Sequence, residues 1–360
     1  MKLTDLYHQT RDARKVLVVD FGFLGDTIHL VPVLWEIKRH YPQAELHVLT
    51  TPVGCEVLQL ASCVQRAWPL EMQAAKRTLG AQWRCWQALR REHFDLALNF
   101  NWADRTMIWT ALVGARQCLA QAGGRRHFWN SWLIPNWMPR QSAELAVFEQ
   151  RRQALAACGF DLAPVRWDLS PPAAARRKAE AVVPLDAIHL SICASSPLKE
   201  WPLENWIALT KPLLAVNPQL RIIATGSHQP REQEQVRALA QQVASDRLKP
   251  LIGLSIAELT AALGRCRLHV GADSGVLHLA VAVGLPTISL FRNYHDASAW
   301  MPAGAAHRVF SAPCICVNQR EQPCAAMNQA RCLAAVEVGK VTAAVREQLQ
   351  IVAPLASQPQ

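Results

Sequence analysis

A chain of 360 residues with 51% hydrophobic and 18% charged residues is too apolar to stay disordered and too often interrupted by charge to be a membrane bundle. Its length suits two domains of ordinary size, and its formal net charge of +10 attracts anions, whether phosphates, nucleic acids or acidic lipid headgroups. No run reaches the roughly 20 apolar residues that a membrane span needs, and the opening MKLTDLYHQTRDARK is polar, so a cytoplasmic protein is expected.

Its eleven cysteines then read as reduced thiols, mostly small buried hydrophobes. There is no basic arm, zinc-finger spacing or RNA-binding aromatic signature, so nucleic acid is not the expected partner.

From the amino terminus, residues 16–19 (VLVV) form an apolar run of the kind found in a strand buried on both faces, and a glycine turn from Gly22 to Gly25 follows. From Thr27 onward Ile28, Val31, Leu34, Trp35 and Lys38 recur at helical spacing, and residues 45–50 (ELHVLT) predict the next strand, completing a βαβ unit. A basic amphipathic helix around residues 76–91 precedes a third strand at 95–100 (DLALNF).

In the second half, residues 187–192 (AIHLSI), 221–225 (RIIAT), 267–270 (RLHV) and 286–291 (PTISLF) are strand-like, with helical stretches such as 206–214 and 232–243 between them. This alternation predicts an α/β fold built on parallel, doubly wound sheets. The Pro-, Ala- and charge-rich residues 166–186 read as a linker between domains at 1–165 and 187–335, and a terminal helix and tail, 336–360, is expected to pack back on the first domain. Such sheets bind ligands beyond the carboxyl ends of their strands, so function is expected in the strand-end loops, at a central cleft between the domains.

Three loops carry chemistry. Residues 271–291 (GADSGVLHLAVAVGLPTISLF) follow a strand and open a small-residue helix: Asp273 and Ser274 suit its cap, Gly275 admits a ligand close to the backbone, and the first-turn N–H groups favour a phosphate. His278, on the first exposed turn, is placed to bond a phosphate or ribose. The plainer reading is a capped helix with a surface histidine.

Residues 21–34 (FGFLGDTIHLVPVL) set Asp26 at the mouth of a helix after the first strand, where a carboxylate either acts as a base or simply caps the helix. Gly22 and Gly25 do not make GxGxxG, which disfavours a nicotinamide enzyme.

Residues 191–209 (SICASSPLKEWPLENWIAL) offer hydroxyls from Ser195 and Ser196 and a cation from Lys199, a set that suits a diphosphate as well as it suits plain solvation. The Thr225-Gly226-Ser227 loop lies at the same sheet edge. The late cysteines Cys314, Cys316, Cys324 and Cys332 lack paired CxxC spacing, so no metal is expected there. A tryptophan- and arginine-bearing tract at 127–140 suits either a membrane surface or acidic acceptor, or core packing.

These motifs resemble glycosyltransferase family 9, the lipopolysaccharide heptosyltransferases, over nearly the whole chain. The resemblance rests on Leu24-Gly25-Asp26 after the first strand, on Lys199-x-Trp201-Pro202, and on the DSGxxH block from Asp273 to His278 with Ala282, Gly284 and Pro286 after it. It implies the GT-B architecture, with the acceptor on the first domain and the sugar nucleotide on the second, and no metal ion. The implied reaction moves heptose from ADP-heptose to the lipid A-Kdo inner core with inversion, at the inner face of the inner membrane.

By the same resemblance Asp26 is the general base, with Gly25 and Thr27 beside it. Lys199, Ser195, Ser196 and the Asp273-Ser274-Gly275 helix start hold the diphosphate next to His278, and Gly226, Glu232 and Leu254 line the nucleotide sugar. The chain departs from the family after Phe291, where Arg292-Asn293-Tyr294-His295 stand in place of Gly and Thr or Ser. It departs again after Gly226, where Gln229 and Pro230 occupy the usual acidic places. Another sugar, a nucleotide-sugar epimerase or a non-catalytic nucleotide-sugar-binding relative remain the alternatives.

Overall fold

A computed structural model describes residues 6–72, 78–101, 103–122, 130–293, 297–313 and 324–351, and the chain divides into two compact units, Met1–Ser170 and Pro171–Gln360. The boundary falls inside the stretch expected as a linker, but most of that stretch belongs to the second unit. A helix, Ala173–Val182, buries Ala175 and Ala179 and packs on the helix Ile256–Leu263. Its small-residue stripe hid the helical period.

The described residues of the first unit form six strands: β1 (Lys15–Val19), β2 (Glu45–Thr50), β3 (Arg66–Pro69), β4 (Leu96–Asn99), β5 (Gln117–Gln121) and β6 (Asn136–Met138). They pair in the order β3-β2-β1-β4-β5-β6, all parallel. The second unit holds β7 (Ala187–Ser191), β8 (Ile222–Gly226), β9 (Leu248–Ile252), β10 (Cys266–Ala272), β11 (Thr287–Asn293) and β12 (His307–Pro313). Their order, β12-β11-β10-β7-β8-β9, repeats the first when counted from β7, again all parallel. In each unit the first strand is central and the order reverses beside it, which opens a crevice at the carboxyl ends of β1 and β4, or of β7 and β10.

The apolar run of β1 works by period two. Val16 and Val18 enter the core on one face with Leu46 and Leu96, while Leu17 and Val19 enter the core on the other with Phe94 and Trp109. Each fully buried side chain of this kind contributes about 1.5–3 kcal/mol, so the strand is fixed in register with both helical layers.

The second sheet differs in carrying buried polar groups on one face, among apolar residues such as Ile223 and Phe291. Ile188, Leu190, Leu268 and Val270 join the main core, while the alternate positions His189, His269, Thr225, Thr287 and Ser289 are buried and polar. The His189 ring nitrogens pair with Thr225 Oγ1 and with His269 Nδ1, each at 2.8 Å, and the two imidazoles stack. Gly271 makes room for this arrangement, because a Cβ there would lie 2.5 Å from His269 Nε2.

The terminal helix Val338–Ile351 is part of the second unit. Val341, Ala344 and Val345 complete the second unit's core, against the helix Leu203–Val216. Its apolar stripe matches the face left open there. Buried cysteines behave as hydrophobes, burial pushing the thiols of Cys118 and Cys158 up to about 11 and about 12.

Candidate active site

In the first unit, β1 delivers the chain into the turn Asp20-Phe21-Gly22-Phe23 and the helix Leu24–His40. Asp20, fully buried, accepts the Gly22 N–H at 2.7 Å and so shapes the turn. Asp26 lies in the first helical turn, and its Oδ2 accepts the Phe23 N–H at 3.0 Å. It therefore does cap the helix, yet its side chain keeps 24% exposure, enough to meet a ligand. Gly22 is required beside it, since a Cβ there would lie 2.2 Å from the Asp26 Cβ.

Arg151, from the helix Val147–Ala156, is buried between the two carboxylates. Its Nη2 is 3.2 Å from Asp20 Oδ2 and 3.8 Å from Asp26 Oδ1, and its Nη1 donates to the Asp26 carbonyl at 2.9 Å. Burial raises the Asp26 carboxyl above its ordinary value, the Arg151 guanidinium opposes that rise, and the Asp20 charge adds to it. A carboxyl whose affinity for a proton is raised by burial suits a general base. Gly25 and Thr27 are buried beneath, and the Thr27 hydroxyl is bonded back to the Phe23 carbonyl at 3.4 Å.

In the second unit, four adjacent strand ends carry the remaining expected residues. The β10 end brings Asp273, Ser274 and the helix Gly275–Ala282; the β7 end brings Ser195, Ser196 and Lys199; β8 ends at Gly226; and Leu254 follows β9. Lys199 Nζ lies 2.7 Å from Asp273 Oδ2, joining two loops that are 74 residues apart in sequence. Ser274 takes the N-cap position but makes no cap bond, and its Oγ is buried without a hydrogen-bond partner. An orphaned hydroxyl beside a cation and an open helix start suits an anionic ligand. Ser195 is exposed, and the Ser196 hydroxyl accepts the Leu198 N–H at 3.3 Å.

His278 differs from expectation. It is buried rather than exposed, its ring 5.4 Å from that of Trp300, because every residue from Leu277 to Ala280 turns inward on this short apolar helix. Burial lowers its imidazole to about 4, against the pull of Asp273, so it is neutral at physiological pH. Glu232 also has a defined place: its Oε2 accepts the Ser227 N–H at 2.9 Å and closes the turn after Gly226, whose carbonyl accepts the Gly253 N–H at 2.9 Å.

Sequence reasoning missed a clamp beneath the Ser195–Lys199 loop. Glu200, buried, accepts the Ala194 N–H at 2.7 Å, takes the Arg231 Nη1 on both carboxylate oxygens at 2.7 Å, and accepts from Gln235 at 3.1 Å. Arg231 Nη2 donates to the Ala194 carbonyl at 2.8 Å. Asp20 and Arg151 were missed as well. An acid directly after a buried strand was a usable signal for Asp20, whereas nothing in the sequence separates Arg151 and Arg231 from surface arginines.

Cys314 and Cys316 lie outside the described residues, as does Trp129 of the tryptophan tract; Cys324 and Cys332 are buried. Among the described residues no group of three or more His, Cys, Asp or Glu is placed to hold a metal ion, and no helix is long and apolar enough to cross a membrane.

Known proteins resemble this chain over most of its length. The model of glycosyltransferase family 9 (heptosyltransferase) matches residues 82–330. The lipopolysaccharide core heptosyltransferase OpsX of Haemophilus influenzae is 23% identical over 289 residues, covering 80% of this chain and 81% of that protein.

Two solved structures share the fold. The family 9 glycosyl transferase from Veillonella parvula has a TM-score of 0.76 at 16% identity, covering 94% of this chain and 97% of that one. The E. coli heptosyltransferase WaaC with ADP-2-deoxy-2-fluoro heptose has a TM-score of 0.72 at 18% identity, covering 92% and 99%.

Proposed function

This chain belongs to glycosyltransferase family 9, and on that premise we propose that it transfers heptose from ADP-heptose to a lipopolysaccharide inner-core acceptor, inverting the anomeric centre without a metal ion. The observation that carries the proposal is the Lys199 cation fixed by Asp273 at the mouth of the Gly275–Ala282 helix, next to the orphaned Ser274 hydroxyl. The names of relatives support the donor: one is an E. coli ADP-heptose lipopolysaccharide heptosyltransferase II, another is WaaC with a fluorinated ADP-heptose.

The acceptor hydroxyl oxygen attacks the anomeric carbon from the face opposite the diphosphate. The bond from that carbon to the diphosphate oxygen breaks, ADP leaves with the electron pair, and the hydroxyl proton passes to the Asp26 carboxylate. One displacement inverts the centre. As ADP leaves, its diphosphate gains negative charge, and the Lys199 ammonium with the helix N-terminus stabilises that charge where other enzymes use a metal.

Asp273 cannot itself hold a diphosphate, since like charges repel. Its part is to hold Lys199 in place, while Ser195, Ser196, Ser274 and the Gly275 backbone donate to the phosphates. Neutral His278 supports the same helix turn, and Gly226, the Glu232-closed turn and Leu254 form the wall for the nucleoside. Arg151 and Asp20 position Asp26 and set its basicity.

Thermal unfolding with ADP-heptose, ADP, UDP and UDP-sugars tests the donor. A ligand at 100 times its dissociation constant stabilises by about 2.7 kcal/mol, so ADP compounds are expected to raise the midpoint by several degrees. Stabilisation by UDP compounds and none by ADP compounds overturns the reading.

A further inference from the structure

The helix Leu79–Arg91 presents apolar side chains to solvent. Leu79 and Trp83, one helical turn apart, are 86% and 56% exposed, while Leu89 of the same helix is buried in the core. Trp83 packs on Trp86 with ring centroids 4.6 Å apart, and Trp86 Nε1 donates to the Leu112 carbonyl at 2.9 Å, tying this helix to the next one, Asp104–Leu112. That second helix adds Ile108 and Leu112, 41% and 45% exposed. The short helix Asn130–Leu133, in contact with it, adds Trp132 at 85%.

Single exposed apolar residues are ordinary, but a joined set on neighbouring helices marks an interaction surface. Its charge is one-sided. The helices Leu79–Arg91 and Asp104–Leu112 carry Arg84, Arg90, Arg91 and Arg105 against one carboxylate, Asp104. The Arg90 guanidinium carbon lies 5.9 Å from the centroid of the Trp86 ring, so this arginine borders the tryptophans.

We propose that this face of the first unit docks on an anionic lipid bilayer, Leu79, Trp83 and Trp132 entering the headgroup boundary while Arg84, Arg90, Arg91 and Arg105 meet lipid phosphates. Tryptophan favours that boundary because its ring is apolar and its N–H is polar. Arginine favours it because its stem lies along apolar surface while its head stays among phosphates. A helix with a tryptophan–leucine face and only positive charges lies in the plane of the interface. A protein partner would meet the same tryptophans but gives no reason for so unbalanced a rim. The inference does not depend on the donor sugar, because docking is read without turnover.

The test is co-sedimentation of the full chain with vesicles of phosphatidylcholine alone and of phosphatidylcholine with phosphatidylglycerol. Binding is expected only to the anionic vesicles, and is lost at high salt. Leu79→Ser with Trp83→Ser is expected to lower partitioning at least about tenfold. Arg84→Glu with Arg91→Glu, both at exposed positions, is expected to lower it more than about tenfold, at about fivefold for each basic charge removed. Val216→Ser, an exposed apolar position in the second unit, leaves binding unchanged.

No binding by the unaltered chain, equal binding to neutral vesicles, or full binding by the folded charge-reversed variant overturns the proposal.

Discussion

Lys199 Nζ and Asp273 Oδ2 stand 2.7 Å apart, one at the end of the loop after β7 and the other at the end of β10, and this pair fixes a cation at the start of the Gly275–Ala282 helix. Replacing Lys199 with Met removes charge-assisted bonds worth about 1.5–3 kcal/mol, so the affinity for ADP is expected to fall roughly 10-fold to 150-fold. Asp273→Asn keeps the size but loosens the anchor, and a fall of only severalfold is expected. Calorimetric titration with ADP measures both; an unchanged dissociation constant in Lys199→Met contradicts the assignment.

The Asp20–Arg151–Asp26 arrangement predicts shifts of opposite sign in the pH profile of turnover. Arg151 holds the Asp26 carboxyl down and Asp20 pushes it up. Arg151→Gln therefore moves the acid limb to higher pH. Asp20→Asn moves it to lower pH, because it removes a like charge and leaves Arg151 to Asp26 alone. If both limbs move in the same direction, or neither moves, Asp26 is not the group being titrated.

The Glu200–Arg231 clamp predicts a coupled loss. Arg231→Met leaves a buried carboxylate without its cation, a change that costs about 3–5 kcal/mol when the pair is fully buried and less here, where Arg231 keeps 37% exposure. The unfolding midpoint is expected to drop, and KM for the donor to rise more than kcat falls, since the clamp shapes the Ser195–Lys199 loop without touching reacting groups. A lowered midpoint with an unaltered KM would make the clamp purely structural.

The buried histidines of the second unit predict acid lability. Burial lowers the His278 imidazole to about 4 and the His189 imidazole to about 3, and it lowers His269 as well. Below the unfolded value of about 6.5 the unfolded chain binds protons that the folded chain refuses, so stability rises with pH in that window and falls on acidification. Each histidine removes up to about 1.4 kcal/mol per pH unit on going from about 6.5 toward its folded value. Urea unfolding at pH 7 and pH 5 checks this, and a midpoint that does not fall at pH 5 contradicts it.

The central strands were legible because β1, β7 and β10 are buried on both sides or carry Gly-bounded loops, so apolar runs and turn signals coincide. The interior strand β5 was not, and neither were the edge strands β3, β6, β9 and β12, since a sheet edge asks little of a sequence: β3 reads Arg66-Ala67-Trp68-Pro69, and β9 contains Pro250. In the site, Asp26, Lys199, Asp273 and Ser274 were visible because each follows a strand in a short loop of distinctive chemistry. Arg151, Arg231 and Glu200 were not, because long-range ion pairs leave no local pattern, and His278 was misjudged because a short apolar helix gives no sign of which side is covered.

The base assignment is tested most directly by Asp26→Asn, with turnover and ADP affinity measured on the same preparation. Turnover from ADP-heptose to an inner-core acceptor is expected to fall roughly 10²-fold to 10⁴-fold while the ADP dissociation constant stays at that of the unaltered chain. Near-normal turnover in Asp26→Asn contradicts the account.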